Sequence, residues 1–440
     1  RQGYSAVSIG ENAGTSSQAN EAVAIGHRAA CNSQGEKSVA IGHRAGGTSQ
    51  GCNSVAIGYD AGQNRQGCNA VAIGLFAGLQ DQEEVSVAIG YFAGASDQGE
   101  YGIGIGYQAG RTDQNVSAVA IGTNAGYNSQ GINSISIGAE CGASDQGDYA
   151  IALGKNAQNN GGNSYAISIG YHSGSNAQAT NAVGVGKWAG EDRQGQDSIA
   201  VGHMAGRSNQ DSNAIAVGYL AASNDQNAYS VAIGYSAGRY GQQTTAVALG
   251  CNAGSNSQHT NSVAVGNNAG SSIQKQQSVA VGCKAGKTLQ DSNCVAVGFE
   301  AGCNGQLEAS IAIGSYAGCN DQESNSVAIG YKAGSNEQMS SSVAIGMQAA
   351  MSNQGVGCVS IGYSPTCNQQ QNNYCVRLGY TNVTGAQNTY AVAIGYQAGH
   401  GFQESNSIAI GRYNGGGQGV SSIAIGYQAG LTGLGDYSIA

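Results

Sequence analysis

Cysteine is the most reactive side chain in this 440-residue sequence, and six of its twelve cysteines form three pairs one repeat apart. The pairs are Cys52 with Cys68, Cys303 with Cys319, and Cys358 with Cys375. If successive repeats stack about 4.8 Å apart, the Cα atoms of each pair lie within disulfide range. We therefore expect at least one axial disulfide, and with it an oxidising, extracellular setting. The alternative is that cysteine replaces another small residue at these positions.

Acidic residues and sequons are the next candidate sites. Asp81, Asp97 and Asp113 recur every sixteen residues, so stacking would align three carboxylates that can coordinate Ca²⁺. An exposed, solvated acidic row is the alternative, and it needs no metal. Asn115 and Asn382 are the only asparagines in N-glycosylation sequons, so we do not expect a dense N-glycan coat.

No set of residues indicates catalysis or cofactor binding. The sequence has no Ser/His/Asp set, no isolated carboxylate pair and no phosphate-binding loop that stands out from its repeats. The net charge is -9 and basic residues are scattered, which disfavours nucleic acid as a partner. No run of about 18 apolar residues suggests a membrane span. We expect neither enzymatic activity nor a cofactor.

The elements that position these residues come from a strict repeat. Glycine recurs every sixteen residues from Gly10 to Gly362 without insertion or deletion. Such a short, regular period is typical of a solenoid in which each repeat forms one coil. It predicts an all-β, parallel β-solenoid with sixteen residues per coil and about 27 coils. These anchor glycines permit a bend after a strand, and the first six are Gly10, Gly26, Gly42, Gly58, Gly74 and Gly90.

The three residues before each anchor glycine alternate in size. Val or Ile stands first, a small residue second, and Ile, Val or Leu third, which is the period-2 pattern of a strand. We expect the large aliphatics to fill the core and the small column to face outward as an interface strip. That strip begins with Ala24, Ala40, Ala56, Ala72 and Ala88. The opposite orientation, with alanine inside and Val/Ile at a subunit interface, remains open, and both favour an oligomer.

A glutamine stands eight residues after almost every anchor glycine, and Gly162 is the exception in the regular region. Identical amides in a parallel, in-register stack can each donate to the next and form a ladder. This column therefore predicts a structural amide ladder along the axis rather than a ligand site. Its first members are Gln18, Gln34, Gln50, Gln66, Gln82 and Gln98.

Tyrosine often follows the anchor glycine, as at Tyr59, Tyr91 and Tyr107. A broken aromatic row of this kind either packs over the bend or presents ring faces to a sugar or a neighbouring chain.

The run Ser-Val-Ala-Ile-Gly at 38–42, 54–58, 86–90 and 326–330 resembles the Hep/Hag head repeats of YadA-type trimeric autotransporter adhesins. The resemblance implies a left-handed parallel β-roll, association of three chains, and display on a bacterial surface to bind host molecules. The family's neck, heptad stalk and membrane anchor have no counterpart here. The repeat array of this chain is also similar to arrays in viral or phage fibre proteins.

Residues 1–440 are therefore interpreted as one continuous array, with an irregular excursion near 362–390 that contains Pro365 and Arg377. The chain starts and stops within a repeat, so we expect it to be a window on a longer polypeptide. The leading hypothesis is an extracellular structural fibre or filament at a cell or virion surface, whose partner is itself as a trimer or filament. The alternative is an adhesin head or viral fibre shaft that binds a surface receptor or glycan.

Overall fold

The computed structural model describes residues 2–364, 372–380 and 385–440. It contains two compact units, Arg1–Leu220 and Ala221–Ala440. Each unit is built of parallel strands, turns and bends, and the described residues include no helix. About 26 turns of roughly sixteen residues form the solenoid, which confirms the predicted fold class.

Each turn opens with an aliphatic strand, made of the residues that precede the anchor glycine. Identical columns pair in parallel register, as Val55 does with Val71 and Ala56 with Ala72. In the first unit the aliphatic strands are Val7–Ile9, Val23–Ile25, Val39–Ile41, Val55–Ile57, Val71–Ile73, Val87–Ile89, Ile103–Ile105, Val119–Ile121, Ile135–Ile137, Ile151–Leu153, Ile167–Ile169, Val183–Val185, Ile199–Val201 and Ile215–Val217. In the second unit they are Val231–Ile233, Val247–Leu249, Val263–Val265, Val279–Val281, Val295–Val297, Ile311–Ile313, Val327–Ile329, Val343–Ile345, Val359–Ile361, Val376–Leu378, Val392–Ile394, Ile408–Arg412 and Ile423–Tyr427.

Most turns also contain a glutamine strand, which ends on the ladder glutamine, or on Gly162 in one turn. It pairs with its equivalents on adjacent turns, as Gln66 does with Gln82. In the first unit these strands are Asn32–Gln34, Thr48–Gln50, Asn64–Gln66, Gln80–Gln82, Ser96–Gln98, Thr112–Gln114, Asn128–Gln130, Ser144–Gln146, Asn160–Gly162, Asn176–Gln178, Asp192–Gln194 and Ser208–Gln210. In the second unit they are Asn224–Gln226, Tyr240–Gln242, Ser272–Gln274, Thr288–Gln290, Asn304–Gln306, Asn320–Gln322, Asn336–Gln338, Ser352–Gln354, Phe402–Gln403 and Gly417–Gln418.

The anchor glycine ends the aliphatic strand for two separate reasons. Gly74 has a φ of +132°, a region that side chains with a Cβ avoid. A Cβ added to Gly74 would also lie 2.4 Å from the carbonyl oxygen of Gly90 on the next turn. The bend and the close approach of neighbouring turns therefore both require glycine, which explains the unbroken column.

The interior of each turn is lined by small side chains and glutamine rather than by large aliphatics. Ala56 and Ala61 are fully buried and Gln66 almost so, whereas Val55 and Ile57 are half-buried. The space is narrow: a Cβ on Gly104, in the same column as Ala56, would lie 2.9 Å from the carbonyl oxygen of Ala109. Alanine, serine or glycine fills this position in all described turns except that of Arg377.

This arrangement corrects the expected orientation of the aliphatic strand. The alanines predicted to form an outward interface strip are buried inside the turns, and the Val/Ile columns face outward. The physical reason is the narrow interior, which takes the small member of the alternating triplet in every described turn except that of Arg377. The corrected positions are Ala24, Ala40, Ala56, Ala72 and Ala88.

The aliphatic strands continue to pair across the irregular stretch, whereas the described sheet of glutamine strands ends before it, at Ser352–Gln354. Val359–Ile361 pairs directly with Val376–Leu378 across the seventeen-residue step, so the additional residue is absorbed between these strands. Ile408–Arg412 pairs likewise with Ile423–Tyr427 across the fifteen-residue step. Pro365 lies outside the described residues.

Candidate functional site: outer aliphatic face and interior amide ladder

The outward Val and Ile side chains form what we call the outer aliphatic face. It consists of the first and third residues of each aliphatic strand, stacked in register on successive turns. Ile121, Ile137, Ile233 and Ile313 each expose between 36% and 40% of their surface. Two parallel apolar columns therefore run along the sheet of aliphatic strands within each unit. Contiguous exposed apolar surface of this kind is typical of interaction sites.

The interior amide ladder confirms the prediction drawn from the glutamine column. Gln98 Nε2 donates to Gln114 Oε1 at 3.0 Å, and Gln114 Nε2 donates to Gln130 Oε1 at 3.1 Å. Each Nε2 also donates to a backbone carbonyl of the aliphatic strand in its own turn, as Gln114 does to Ile103 at 2.9 Å. Where these contacts are continuous, as from Gln50 to Gln130, the ladder joins the two strands of a turn and joins each turn to the next. Gln18, Gln34 and Gln50 donate to the aliphatic strand of their own turn, but no side-chain bond joins Gln18 to Gln34 or Gln34 to Gln50.

In some turns a serine hydroxyl donates a hydrogen bond to the ladder glutamine. Ser136 replaces the usual small apolar residue of the aliphatic strand, and its Oγ donates to Gln146 Oε1 at 2.7 Å. Ser168 donates in the same way to Gln178 Oε1 at 2.6 Å. These buried hydroxyls supply a donor to the glutamine oxygen that they face, so the polar interior tolerates local variation.

The gap at Gly162 is filled by an amide from another column. Gln158 stands where the repeat normally has glycine, four residues after the anchor, and its side chain is fully buried. It accepts from Gln146 Nε2 at 3.0 Å and donates to Gln178 Oε1 at 3.3 Å. A Cβ on Gly162 would lie 1.9 Å from Gln158 Nε2. Gln158 and Gly162 have thus exchanged the glycine and the glutamine of the repeat. Both substitutions are visible in the sequence of this repeat, but comparing residues within one column does not predict that they compensate each other.

Arg377 is the one large side chain in the interior column of small residues. It pairs in register with Ser360 and Ala393, and only 1% of it is exposed. Burial lowers the pKa of its guanidinium to about 10.

The predicted cysteine pairs lie on neighbouring turns, but every cysteine in the described ranges is a free thiol. The backbone N–H of Cys52 donates to Cys68 Sγ at 3.2 Å, and that of Cys375 to Cys358 Sγ at 3.3 Å. In-register stacking points both Cβ atoms of a pair in the same direction, whereas a disulfide needs them to converge. The expectation of an axial disulfide in Cys52/Cys68, Cys303/Cys319 or Cys358/Cys375 is therefore corrected for this structure.

The acidic row does not form a metal centre. Arg65 makes an ion pair with Asp81, while Asp97 and Asp113 are exposed. Across the described residues, no cluster of three or more His, Cys, Asp or Glu is arranged to hold a metal ion. The described residues therefore give the Ca²⁺ candidate no support, because Asp97 and Asp113 are exposed and the carboxylate of Asp81 is paired with Arg65.

Only one of the two sequon asparagines lies within the described residues. Asn115 is exposed, and its Nδ2 donates to the carbonyl oxygen of Gln130 at 3.0 Å. Asn382 lies outside the described residues. Glycosylation of Asn115 remains a prediction.

Rings of the tyrosine row pack on one another along the axis. The His43 and Tyr59 centroids are 4.6 Å apart with an interplanar angle of 7°, and the Tyr91 and Tyr107 centroids are 5.1 Å apart. Tyr363, Tyr380 and Tyr396 form a continuous stack. Within these stacks the ring faces cover each other, so the exposed edges and hydroxyls are the groups presented to solvent.

Comparison with known proteins agrees with this architecture. A family model of the YadA head domain repeat matches residues 129–157 in two copies. The chain therefore resembles a repeat of surface-exposed adhesins, which is a structural and adhesive class rather than an enzyme family. No curated protein matches the chain. Among the described residues, no helix is long and apolar enough to cross a bilayer.

Proposed function

We propose that this chain is a rigid, extracellular structural fibre that associates with copies of itself through the outer aliphatic face. The observation that carries the proposal is the orientation of the aliphatic strands. Their large β-branched side chains face outward in unbroken columns, while alanine and glutamine fill the interior. Covering these columns with a second copy removes apolar surface from water.

The partner proposed is another copy of this chain because the surface repeats with the period of the solenoid itself. A second solenoid presents the same columns at the same spacing, so side chains can interdigitate over many turns. YadA-type head domains form trimers, which is consistent with a homo-oligomer. A trimer and a longer filament are both compatible with the aliphatic face.

The experiment compares the oligomeric state of the intact chain with that of two double variants. Ile121→Arg with Ile137→Arg places cations on the aliphatic face of neighbouring turns. The matched control, Asp113→Arg with Ser129→Arg, places cations in the column where Arg65 already occurs. Sedimentation velocity should show an oligomer for the wild type and the control, and monomer or weakened assembly for the Ile variant, with unchanged circular dichroism. A monomeric wild type, or assembly that survives the Ile substitutions, contradicts the proposal.

A second candidate, adhesion to a surface receptor or glycan, is favoured by the match to the YadA head repeat. Binding by this chain would use exposed edges and hydroxyls of its tyrosines, because stacked neighbours cover the ring faces. Glycan arrays and immobilised matrix proteins test this role directly. Binding that is lost on Tyr91→Ala and Tyr107→Ala but retained in Tyr→Phe variants would support adhesion through the hydroxyls. Absence of binding to all surfaces would leave the structural role.

A further inference from the structure

We propose that the stacked pair Tyr149 and Tyr165 is a site of oxidative cross-linking, where a one-electron oxidant joins adjacent turns through dityrosine. Their ring centroids are 5.1 Å apart and their planes are parallel within 1°. Both side chains are about half exposed, at 49% and 55%. The pair therefore combines close contact between two phenols with access from solvent. The inference does not depend on the proposed self-association.

The backbone holds the two rings in equivalent positions. Tyr149 and Tyr165 both lie eleven residues after an anchor glycine and have φ values of 58° and 61°. The N–H of Tyr149 donates to the carbonyl oxygen of Ile132, and that of Tyr165 donates to Asp148, each on the preceding turn. The two rings therefore stack with parallel planes on adjacent turns, which holds the two phenols in the close contact that coupling needs.

The chemistry requires an external oxidant, which we identify by class as a haem peroxidase with hydrogen peroxide. Each phenol loses one electron and one proton, and the resulting phenoxyl radicals join through a carbon–carbon bond between ortho positions. The proton displaced from each ortho carbon returns to its phenolic oxygen. Two tyrosines and one hydrogen peroxide thus give one dityrosine and two waters, and the chain loses two hydrogen atoms. Permanent contact between the rings favours this coupling over encounters between chains.

The bond would staple neighbouring turns along the axis. In-register stacking directs paired cysteine side chains in parallel, which disfavours a disulfide, but the same stacking brings tyrosine rings face to face. A second pair in this column, Tyr374 and Tyr390, has centroids 5.3 Å apart and an interplanar angle of 9°. The repeat therefore favours aromatic over sulfur cross-links between turns.

The chain supplies its own unpaired controls. Tyr101 and Tyr229 occupy the same column and are similarly exposed, at 51% and 62%. The adjacent turns carry Val85 and Ser117 beside Tyr101, and Asn213 and Thr245 beside Tyr229, so neither has a tyrosine in the next turn of its column. Coupling at Tyr101 and Tyr229 therefore shows how readily an exposed tyrosine reacts when it has no stacked partner.

The test treats the full chain with peroxidase and hydrogen peroxide and analyses the tryptic peptides by mass spectrometry. Cleavage after Lys155 separates the two tyrosines, so coupling appears as a joined pair of peptides lighter by two hydrogens. We expect coupling at Tyr149/Tyr165 to exceed that at Tyr101 by about tenfold or more. Tyr149→Phe, which keeps the ring, should remove this species, whereas Tyr101→Phe should not.

Mixing isotopically labelled and unlabelled chains distinguishes coupling within a chain from coupling between chains. The proposal expects the joined peptides to carry a single label pattern, and circular dichroism should confirm that the variants remain folded. It is overturned if mixed-label peptides dominate, if Tyr101 and Tyr229 couple as often as the stacked pair, or if the joined species persists in Tyr149→Phe.

Discussion

Removing one glutamine from the interior ladder should open the solenoid locally, and Gln114→Ala is the sharpest case. Gln114 Nε2 donates to Ile103 O at 2.9 Å, Ala118 O at 3.1 Å and Gln130 Oε1 at 3.1 Å. Its Oε1 accepts from Gln98 Nε2 at 3.0 Å. The substitution therefore removes contacts within one turn and to both neighbouring turns.

Gln114 Nε2 carries two hydrogens, so its three acceptors share two donated bonds, and the bond it accepts makes three in all. At a net value of about 1 kcal/mol each, their loss costs about 3 kcal/mol, and the buried acceptor left on Gln130 adds about 2 kcal/mol. Replacement by alanine recovers about 2 kcal/mol of side-chain conformational entropy, because the buried glutamine loses its rotamer freedom on folding and alanine has none to lose. We expect a net loss of about 3 kcal/mol in the free energy of local opening.

Hydrogen exchange measured by mass spectrometry on the intact chain suits this prediction, because a repeat array need not unfold in one transition. A loss of about 3 kcal/mol raises amide exchange in residues 103–130 roughly 100-fold when exchange follows local opening. Asp113→Asn is the matched control, since Asp113 is exposed in the same strand. If Gln114→Ala changed exchange no more than this control did, the assignment of a stabilising role to the ladder would be refuted.

Three further predictions test other features of the repeat. Gln158→Gly should lower the free energy of unfolding because it removes two ladder hydrogen bonds, and Gly162→Gln should lower it because the new side chain clashes with Gln158. The double variant should recover stability, with a coupling energy of about 2 kcal/mol in a double-mutant cycle followed by denaturation. Additive losses would contradict the exchange of roles. Gly74→Ala should lower the free energy of unfolding, measured by urea titration, by about 3 kcal/mol or more. The reason is that residue 74 has a positive φ and that an added Cβ would clash with the carbonyl oxygen of Gly90. Gly417→Ala should be nearly neutral in the same titration, because the nearest neighbour of its Cβ lies at 4.0 Å. A hydrogen bond from the Cys319 thiol lowers the pKa of Cys303 to about 7, while burial raises that of Cys141 to about 12. Because the thiolate is the reactive form, the rate of alkylation of Cys303, followed by mass spectrometry, should rise through pH 7 and level off above about pH 8. The rate for Cys141 should still be rising at about pH 9. Equal profiles would refute this difference.

Much of the architecture was predictable because a strict period constrains every turn in the same way. Gly10 to Gly362 defines the turn length, and the alternation of Val, Ala and Ile before each anchor indicates a strand. Gln18 and its equivalents predict a ladder, because parallel stacking brings identical amides together. These inferences need only local pattern and repetition, and the strands and glutamine contacts agree with them.

The repeat pattern was sufficient to predict the period, the strand positions and the amide ladder, but the side of each strand that faces inward follows from how the turns close on themselves. A period-2 pattern has two faces and does not state how wide the interior is, so Ala56 and Val55 were both candidates for the core. Closing sixteen residues into one turn leaves a narrow space beside the glutamine amide, which alanine, serine or glycine fills in every described turn except that of Arg377, while the large aliphatics lie outside. The same three-dimensional constraint allows Gln158 to fill the gap opposite Gly162, a contact between two columns that repetition along one column does not predict.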